Sequence, residues 1–342
     1  MDFRLQEYST ATGAHRFARP PAWHNENLFR CGLQTMVISH DRLAHWAVVY
    51  ATAWLPRRPR VAARFRMMAR QRRHMLRRGQ VVMIRHPKTG STWLRTLLTQ
   101  LYHHRDGISP KRVFAADELA RQKKGLPRWV ISNGYYSLER LILDAYRNDD
   151  PLVSGKKTIL LARHPGDIAV SWHRQYQKRT KRFKRELIEA DVCRNLDIDL
   201  RQLDRWDFIR RDELGLPAIL RYYNDWAEVL DGRQDSLIVR YEDLRNDTET
   251  TLRRISALLG EEFDDAHYRK AIEFGSVDNM RELERSGYFQ NASLRLRDAN
   301  DPDALKVRRA RVGGFRADLT GEQADWVEQQ VREHSHPALG YR

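Results

Sequence analysis

The chain has 342 residues, enough for one large or two modest domains around a substantial buried core. Its 61 lysines and arginines against 45 aspartates and glutamates give a formal charge of +16, a field that attracts nucleotides, nucleic acid, anionic lipid or acidic polysaccharide. Two cysteines, Cys31 and Cys193, with no CxxC and no Cys/His cluster, argue against a disulfide framework or a zinc site, and no run of about 18 apolar residues is present to span a bilayer.

In chain order, residues 1–8 lack the basic-then-apolar pattern of a secretory leader, so a cytoplasmic protein is expected. Residues 43–55 are mostly apolar and rich in tryptophan and tyrosine; Pro56 ends the run, and arginines crowd positions 57–78. Two readings of residues 43–78 stand. One is a segment lying on the inner face of a membrane, held by aromatic and polybasic groups. The other is a helix packed on the next domain, followed by a solvated basic helix. Residues 1–79 are thus expected to form an N-terminal extension, helical and basic, and residues 80–342 the main domain.

Residues 81–84 (Val-Val-Met-Ile) read as a buried strand, and residues from Leu94 onward as a helix. Between them runs Arg85-His86-Pro87-Lys88-Thr89-Gly90-Ser91-Thr92-Trp93. A strand that breaks and re-forms as a helix aims backbone amides and a helix N-terminus at one point, which favours a phosphate or sulfate group. Gly90 allows close approach, Ser91 and Thr92 add hydroxyls, and Lys88 brings a cation. The nucleotide-triphosphatase loop is excluded, because it needs its lysine after a second glycine and Lys88 precedes Gly90.

Residues 158–162 are a second buried strand, ending in Arg163-His164-Pro165-Gly166-Asp167-Ile168-Ala169-Val170-Ser171-Trp172. An arginine fork with a helical serine nearby suits a second phosphate. Residues 237–240 begin a third strand that runs through Tyr241-Glu242-Asp243-Leu244 into a turn, and residues 248–259 form an amphipathic helix closed by Gly260. Short apolar strands alternating with helices indicate an α/β fold with a central parallel sheet flanked by helices, whose ligands bind at the carboxyl ends of strands.

Taken together, these segments resemble the sulfotransferases that use 3′-phosphoadenosine-5′-phosphosulfate (PAPS). Pro-Lys-Thr-Gly-Ser-Thr-Trp at 87–93 is similar to the family's 5′-phosphosulfate loop, and Arg163 and Ser171 occupy the places that hold the 3′-phosphate. Tyr-Glu-Asp-Leu at 241–244 and Ser276-Val277-Asp278-Asn279-Met280 resemble the segments around the adenine. Arg308-Arg309-Ala310-Arg311-Val312-Gly313-Gly314-Phe315 resembles the C-terminal segment that folds over the 3′-phosphate, with Ala310 for glycine, Gly314 for aspartate and Phe315 for tryptophan. The four motifs keep the family's order over about residues 80–330.

The resemblance implies a P-loop-like sulfotransferase fold and an EC 2.8.2-type enzyme. PAPS would be the cofactor and no metal would take part. The implied cofactor-binding set is Lys88, Thr89, Gly90, Ser91, Thr92, Trp93, Arg163, Ser171, Tyr241, Ser276, Arg308, Arg309 and Ala310. Lys88 is also the expected catalyst, neutralising charge on the leaving phosphate. Where well-known members carry a histidine base, this chain has Asn133, an amide that accepts no proton at neutral pH; other branches use a glutamate after the loop, which points to Glu118. The acceptor is expected to be a glycan, lipid or small molecule, in a cleft shaped in part by the basic residues 173–215. Two rivals remain: a non-catalytic PAPS-binding protein, and a basic nucleic-acid- or membrane-binding protein. No specific nucleic-acid partner is expected.

Overall fold

The computed structural model describes residues 47–132, 136–192, 199–290 and 311–342, all within a compact unit spanning Ser39–Arg342. Asn133, Arg308, Arg309 and Ala310 lie outside the described residues. Four strands, β1 (Val81–Arg85), β2 (Trp129–Ile131), β3 (Lys157–Ala162) and β4 (Ser236–Arg240), form one parallel sheet in the order β2-β1-β3-β4. β1 and β3 run in register from Val81 opposite Lys157 to Arg85 opposite Leu161.

The central strands read as unbroken apolar runs because helices cover both faces. Alternation then sorts their side chains. Val82, Ile84, Leu160 and Ala162 join one core with Ile168, Trp172, Tyr223, Trp226 and Val327. Val81, Met83, Ile159 and Leu161 join the other with Leu94, Leu97, Leu98 and Tyr268. The helix after β1, Ser91–Asp106, therefore packs on one face, and the helix after β3, Pro165–Lys178, on the opposite face. Chain direction diverges between β1 and β3, and the crevice at such a switch point is where open parallel sheets bind ligands.

The arginine-rich stretch is a helix, Arg57–Arg78, whose inner side belongs to the same unit. Leu76 is fully buried in the first core. Arg72 donates to the Ile131 carbonyl at 3.0 Å, and Arg64 meets Glu186 of the helix Arg182–Val192 at 2.6 Å. Short β2 was not anticipated from the sequence. The Tyr241 segment, expected as a turn, is a short helix, Tyr241–Asn246. The helix Thr248–Leu259 ends at Gly260 in a left-handed conformation (φ 69°), as its sequence suggested.

Candidate active site

β1 delivers the chain to the switch point, where two consecutive deviations turn it. Lys88 and Gly90 both have positive φ (76° and 83°), and the helix Ser91–Asp106 starts at the next residue. The left-handed conformation is costly for lysine, about 1–3 kcal/mol. It is held in place by the Thr89 hydroxyl, which donates to the His86 carbonyl at 3.0 Å, and by Arg163, which donates to the Lys88 carbonyl at 3.2 Å. Gly90 is required twice over: by its φ, and because a Cβ there would stand 2.6 Å from the Tyr241 ring.

The helix N-terminus presents amides with no intrahelical partner. Trp93 differs, since its amide already donates to the Gly90 carbonyl at 2.8 Å. What Trp93 offers is its indole, fixed by a 2.7 Å donation from Nε1 to the Gly275 carbonyl, beside exposed Ser276. Tyr241 meets Trp93 edge-on at 5.8 Å and Arg245 lies over the indole at 5.3 Å. Burial raises the Tyr241 phenol pKa, in keeping with a supporting ring beneath the loop.

Arg163, one residue past β3, is the junction of the site. Its Nη1 reaches the Lys88 carbonyl; its Nη2 reaches Asp167 Oδ2 at 3.1 Å and the Arg311 carbonyl at 3.0 Å; its guanidinium lies over the Tyr241 ring at 4.6 Å. The Nε is buried with no hydrogen-bond partner among the described residues. Asp167, 3% exposed, completes the junction: Oδ2 accepts from the Gly313 amide at 3.1 Å and Oδ1 from the Phe315 amide at 3.0 Å. The C-terminal segment is thereby tied to the end of β3. Phe315 seals it by stacking on His164 at 5.0 Å. Ser171, half-buried, lies one turn beyond Asp167 on the same helix face.

The loop, Arg163, Tyr241, the Gly275–Ser276 turn and residues 311–315 therefore converge. Asp167 was not anticipated. Its signal was its place four residues after Arg163 in the first turn of a proline-initiated helix, within ion-pairing reach of that arginine.

The acceptor-side residues are placed differently. Ser132 donates its amide to the Met83 carbonyl at 2.8 Å, and its hydroxyl accepts from the Arg85 amide at 3.1 Å, so the chain leaves β2 beside the start of the loop. Glu118 begins the short helix Glu118–Gln122, and its carboxylate accepts from the Ala115 amide at 3.2 Å. The Trp129 amide donates to the Ala116 carbonyl, which ties this turn to the start of β2, while Lys88 and Arg163 stand past the ends of β1 and β3. Gln122 then meets Ser109, beyond the far end of the helix Ser91–Asp106. The turn that Glu118 caps is also tied to the helix after the loop: Arg95, which donates to the Ser91 carbonyl at 3.1 Å, donates to the Phe114 carbonyl at 2.7 Å.

Neighbouring Asp117 is also engaged. Burial pushes its carboxyl pKa up, but Arg121, at 2.6 Å, outweighs this and holds it below the usual value. His86, at the base of the loop, is buried between Trp172 and Tyr222, and burial drives its pKa down to about 4. Of the basic residues in 173–215, Arg174 and Arg205 pair with Asp318, and Arg201 with Asp199. Part of that segment's charge is therefore neutralised internally.

A family model for the sulfotransferase domain matches residues 78–337. Cytosolic sulfotransferase 13 of Arabidopsis thaliana is 22% identical over 277 residues, covering 77% of this chain and 79% of that protein. Sulfotransferase 2A1 of Rattus norvegicus is 22% identical over 265 residues, covering 74% of this chain and 83% of that protein. Among solved structures, mouse sulfotransferase SULT7A1 complexed with PAP superposes with a TM-score of 0.50 at 17% identity, covering 79% of this chain and 92% of that one, a likeness of fold.

Proposed function

We propose a reaction from a premise that the match over residues 78–337 establishes: this chain belongs to the sulfotransferase family. It transfers a sulfuryl group from PAPS to a hydroxyl or amine of an acceptor. The observation that carries the residue roles is the junction at Arg163, which draws the loop, the end of β3 and the C-terminal segment around one point. A buried Nε without a partner, a helix N-terminus and an indole held beside them form a donor set that fits a nucleotide carrying phosphates at two positions.

When bound, PAPS supplies the transferable sulfuryl group and a phosphate leaving group. The amides at the start of the helix Ser91–Asp106, with the hydroxyls of Ser91 and Thr92, bind the 5′ end. Thr89 contributes through its amide, because its hydroxyl proton is engaged by His86. Lys88 holds positive charge against the oxygen on which negative charge grows, as in phosphoryl transfer. Arg163 and Ser171 hold the 3′-phosphate, and Arg308, Arg309 and Ala310 close over it. Trp93, Tyr241 and Ser276 frame the adenine.

For the proton, Glu118 remains the residue the family pattern nominates and Asn133 the one that orients the acceptor. Asn133 in place of the family histidine is what a second reading rests on, a protein that binds the nucleotide without turnover. The basic surface favours an acidic or amphiphilic acceptor, a glycan or lipid. The reading sets the reaction in the cytoplasm, at the inner face of a membrane: the Arabidopsis relative is named cytosolic, and no described helix is long and apolar enough to cross a membrane. Incubation with sulfur-labelled PAPS and a cell extract tests the reaction. A labelled acceptor is expected; tight binding of 3′-phosphoadenosine-5′-phosphate (PAP) with no labelled product would select the second reading.

A further inference from the structure

The segment before the arginine helix is turned the wrong way round for packing. Val48 and Thr52 point inward, at 6% and 4% exposure, while the much larger Tyr50 and Trp54 point outward at 70% and 79%. A buried aromatic ring contributes far more than a threonine, so leaving the Trp54 ring at the surface forgoes packing that the burial of Thr52 does not return. The tip is not a loose end. Arg64 Nε donates to Thr52 Oγ1 at 3.0 Å and its Nη2 to the Val49 carbonyl at 3.2 Å; Arg60 donates to the Leu55 carbonyl at 2.7 Å. Both arginines pair with Glu186, so the tip is braced against the helix Arg182–Val192.

The helix that follows, Arg57–Arg78, contains no acidic residue. Its inward arginines, Arg60, Arg64 and Arg72, have protein partners. Exposed Arg66, Arg70, Arg73 and Arg77 follow the i, i+4, i+7, i+11 spacing of a single face. That stripe is about 16 Å long. Arg57 and Arg58, also exposed, begin the helix next to Trp54. On a nucleic-acid surface, aromatic rings would interleave with the cations along the stripe. Here the exposed rings are confined to one end, the arrangement of an interfacial anchor with a polybasic neighbour.

We infer that Tyr50 and Trp54 form an anchor that seats in the headgroup region of an anionic bilayer, with the Arg66–Arg77 stripe facing lipid phosphates. This deepens the peripheral placement proposed for the enzyme, and rests on it for its biological sense. It commits to a bilayer rather than to a soluble polyanion or a second copy of the chain.

The test is co-sedimentation of the full chain with vesicles of phosphatidylcholine alone and with about 30% phosphatidylserine, alongside calorimetric titration of PAP. Binding only to the anionic vesicles is expected. The double variant Tyr50→Ser/Trp54→Ser should weaken it about tenfold, and Arg70→Gln/Arg73→Gln should weaken it and flatten its salt dependence. Both variants should bind PAP as the parent does, which shows that they are folded. Failure to bind anionic vesicles, or vesicle binding unaffected by Tyr50→Ser/Trp54→Ser, would overturn the anchor. Vesicle-independent binding to heparin that needs the arginines but not the rings would assign the stripe to a polyanion. Failure of the parent to bind PAP, with binding to anionic vesicles that needs the rings, would instead overturn the nucleotide site and support the anchor.

Discussion

Around Arg163 and Asp167, segments from four parts of the chain meet, whereas the bonds described for Glu118 and Asp117 run to Ala115 and Arg121, within four residues. The first arrangement builds a binding site from long-range contacts that would not persist without a ligand role or a stability role. The second builds turns and helix caps. A candidate residue is therefore better judged by whether it joins distant segments than by its chemistry alone.

The largest effect expected from this contrast is at Lys88. Lys88→Ala should lower turnover by about two to three orders of magnitude with a much smaller change in PAP affinity, because its contact strengthens as leaving charge develops. Steady-state kinetics with calorimetry checks this; an unchanged turnover number with weaker binding would make Lys88 an anchor only.

Asp167→Ala should have an effect of comparable size, on stability and binding rather than on turnover, since it leaves Arg163 without its carboxylate and frees two amides of the C-terminal segment. Removing one partner of a buried pair costs about 3–5 kcal/mol. The side chains of Arg163 and Asp167 are 14% and 2% exposed, so little solvent screening softens the loss. Urea unfolding and PAP titration should both register it; an effect on neither would dissolve the junction.

His86 supplies a pH-dependent effect of similar or smaller size. Its pKa falls from 6.5 in the unfolded chain to about 4 in the fold because burial disfavours the cation. The unfolded state thus takes the proton first on acidification. The stability due to neutral His86 is complete above pH 6.5 and is lost as pH falls through 4, amounting to about 3 kcal/mol. Urea midpoints measured between these limits should drop less steeply in His86→Gln than in the parent. Parallel profiles would mean that His86 is not neutral and buried.

The smallest effect on PAP affinity is expected at Glu118. Glu118→Gln should abolish transfer, as loss of the proposed base requires, while PAP affinity changes by no more than about threefold, since the amide keeps an oxygen that can accept from Ala115. Transfer at the parent's rate would remove Glu118 as the base.

What the sequence disclosed follows the same division. The strands at Val81 and Thr158 were legible because two-sided burial writes them as apolar runs, and the loop because Pro-Lys-Thr-Gly-Ser-Thr breaks one run before a helix. β2 was too short to carry a period, at three residues. The spacing of Asp167 from Arg163 signalled the ion pair, but its bonds to Gly313 and Phe315 were silent because those residues lie far along the chain. Arg64 and Arg72 read as surface cations, and partners that include Thr52, Glu186 and the Ile131 carbonyl draw them inward.

The central claim is that Arg163 holds a 3′-phosphate, and paired calorimetric titrations test it most directly. PAP and adenosine 5′-phosphosulfate, which lacks the 3′-phosphate, are each titrated into the parent and into Arg163→Ala. The parent should prefer PAP, and the substitution should reduce that preference by about 1.5–3 kcal/mol, the worth of a charge-assisted contact. Equal losses for the two ligands, with the preference for PAP preserved, would contradict the assignment.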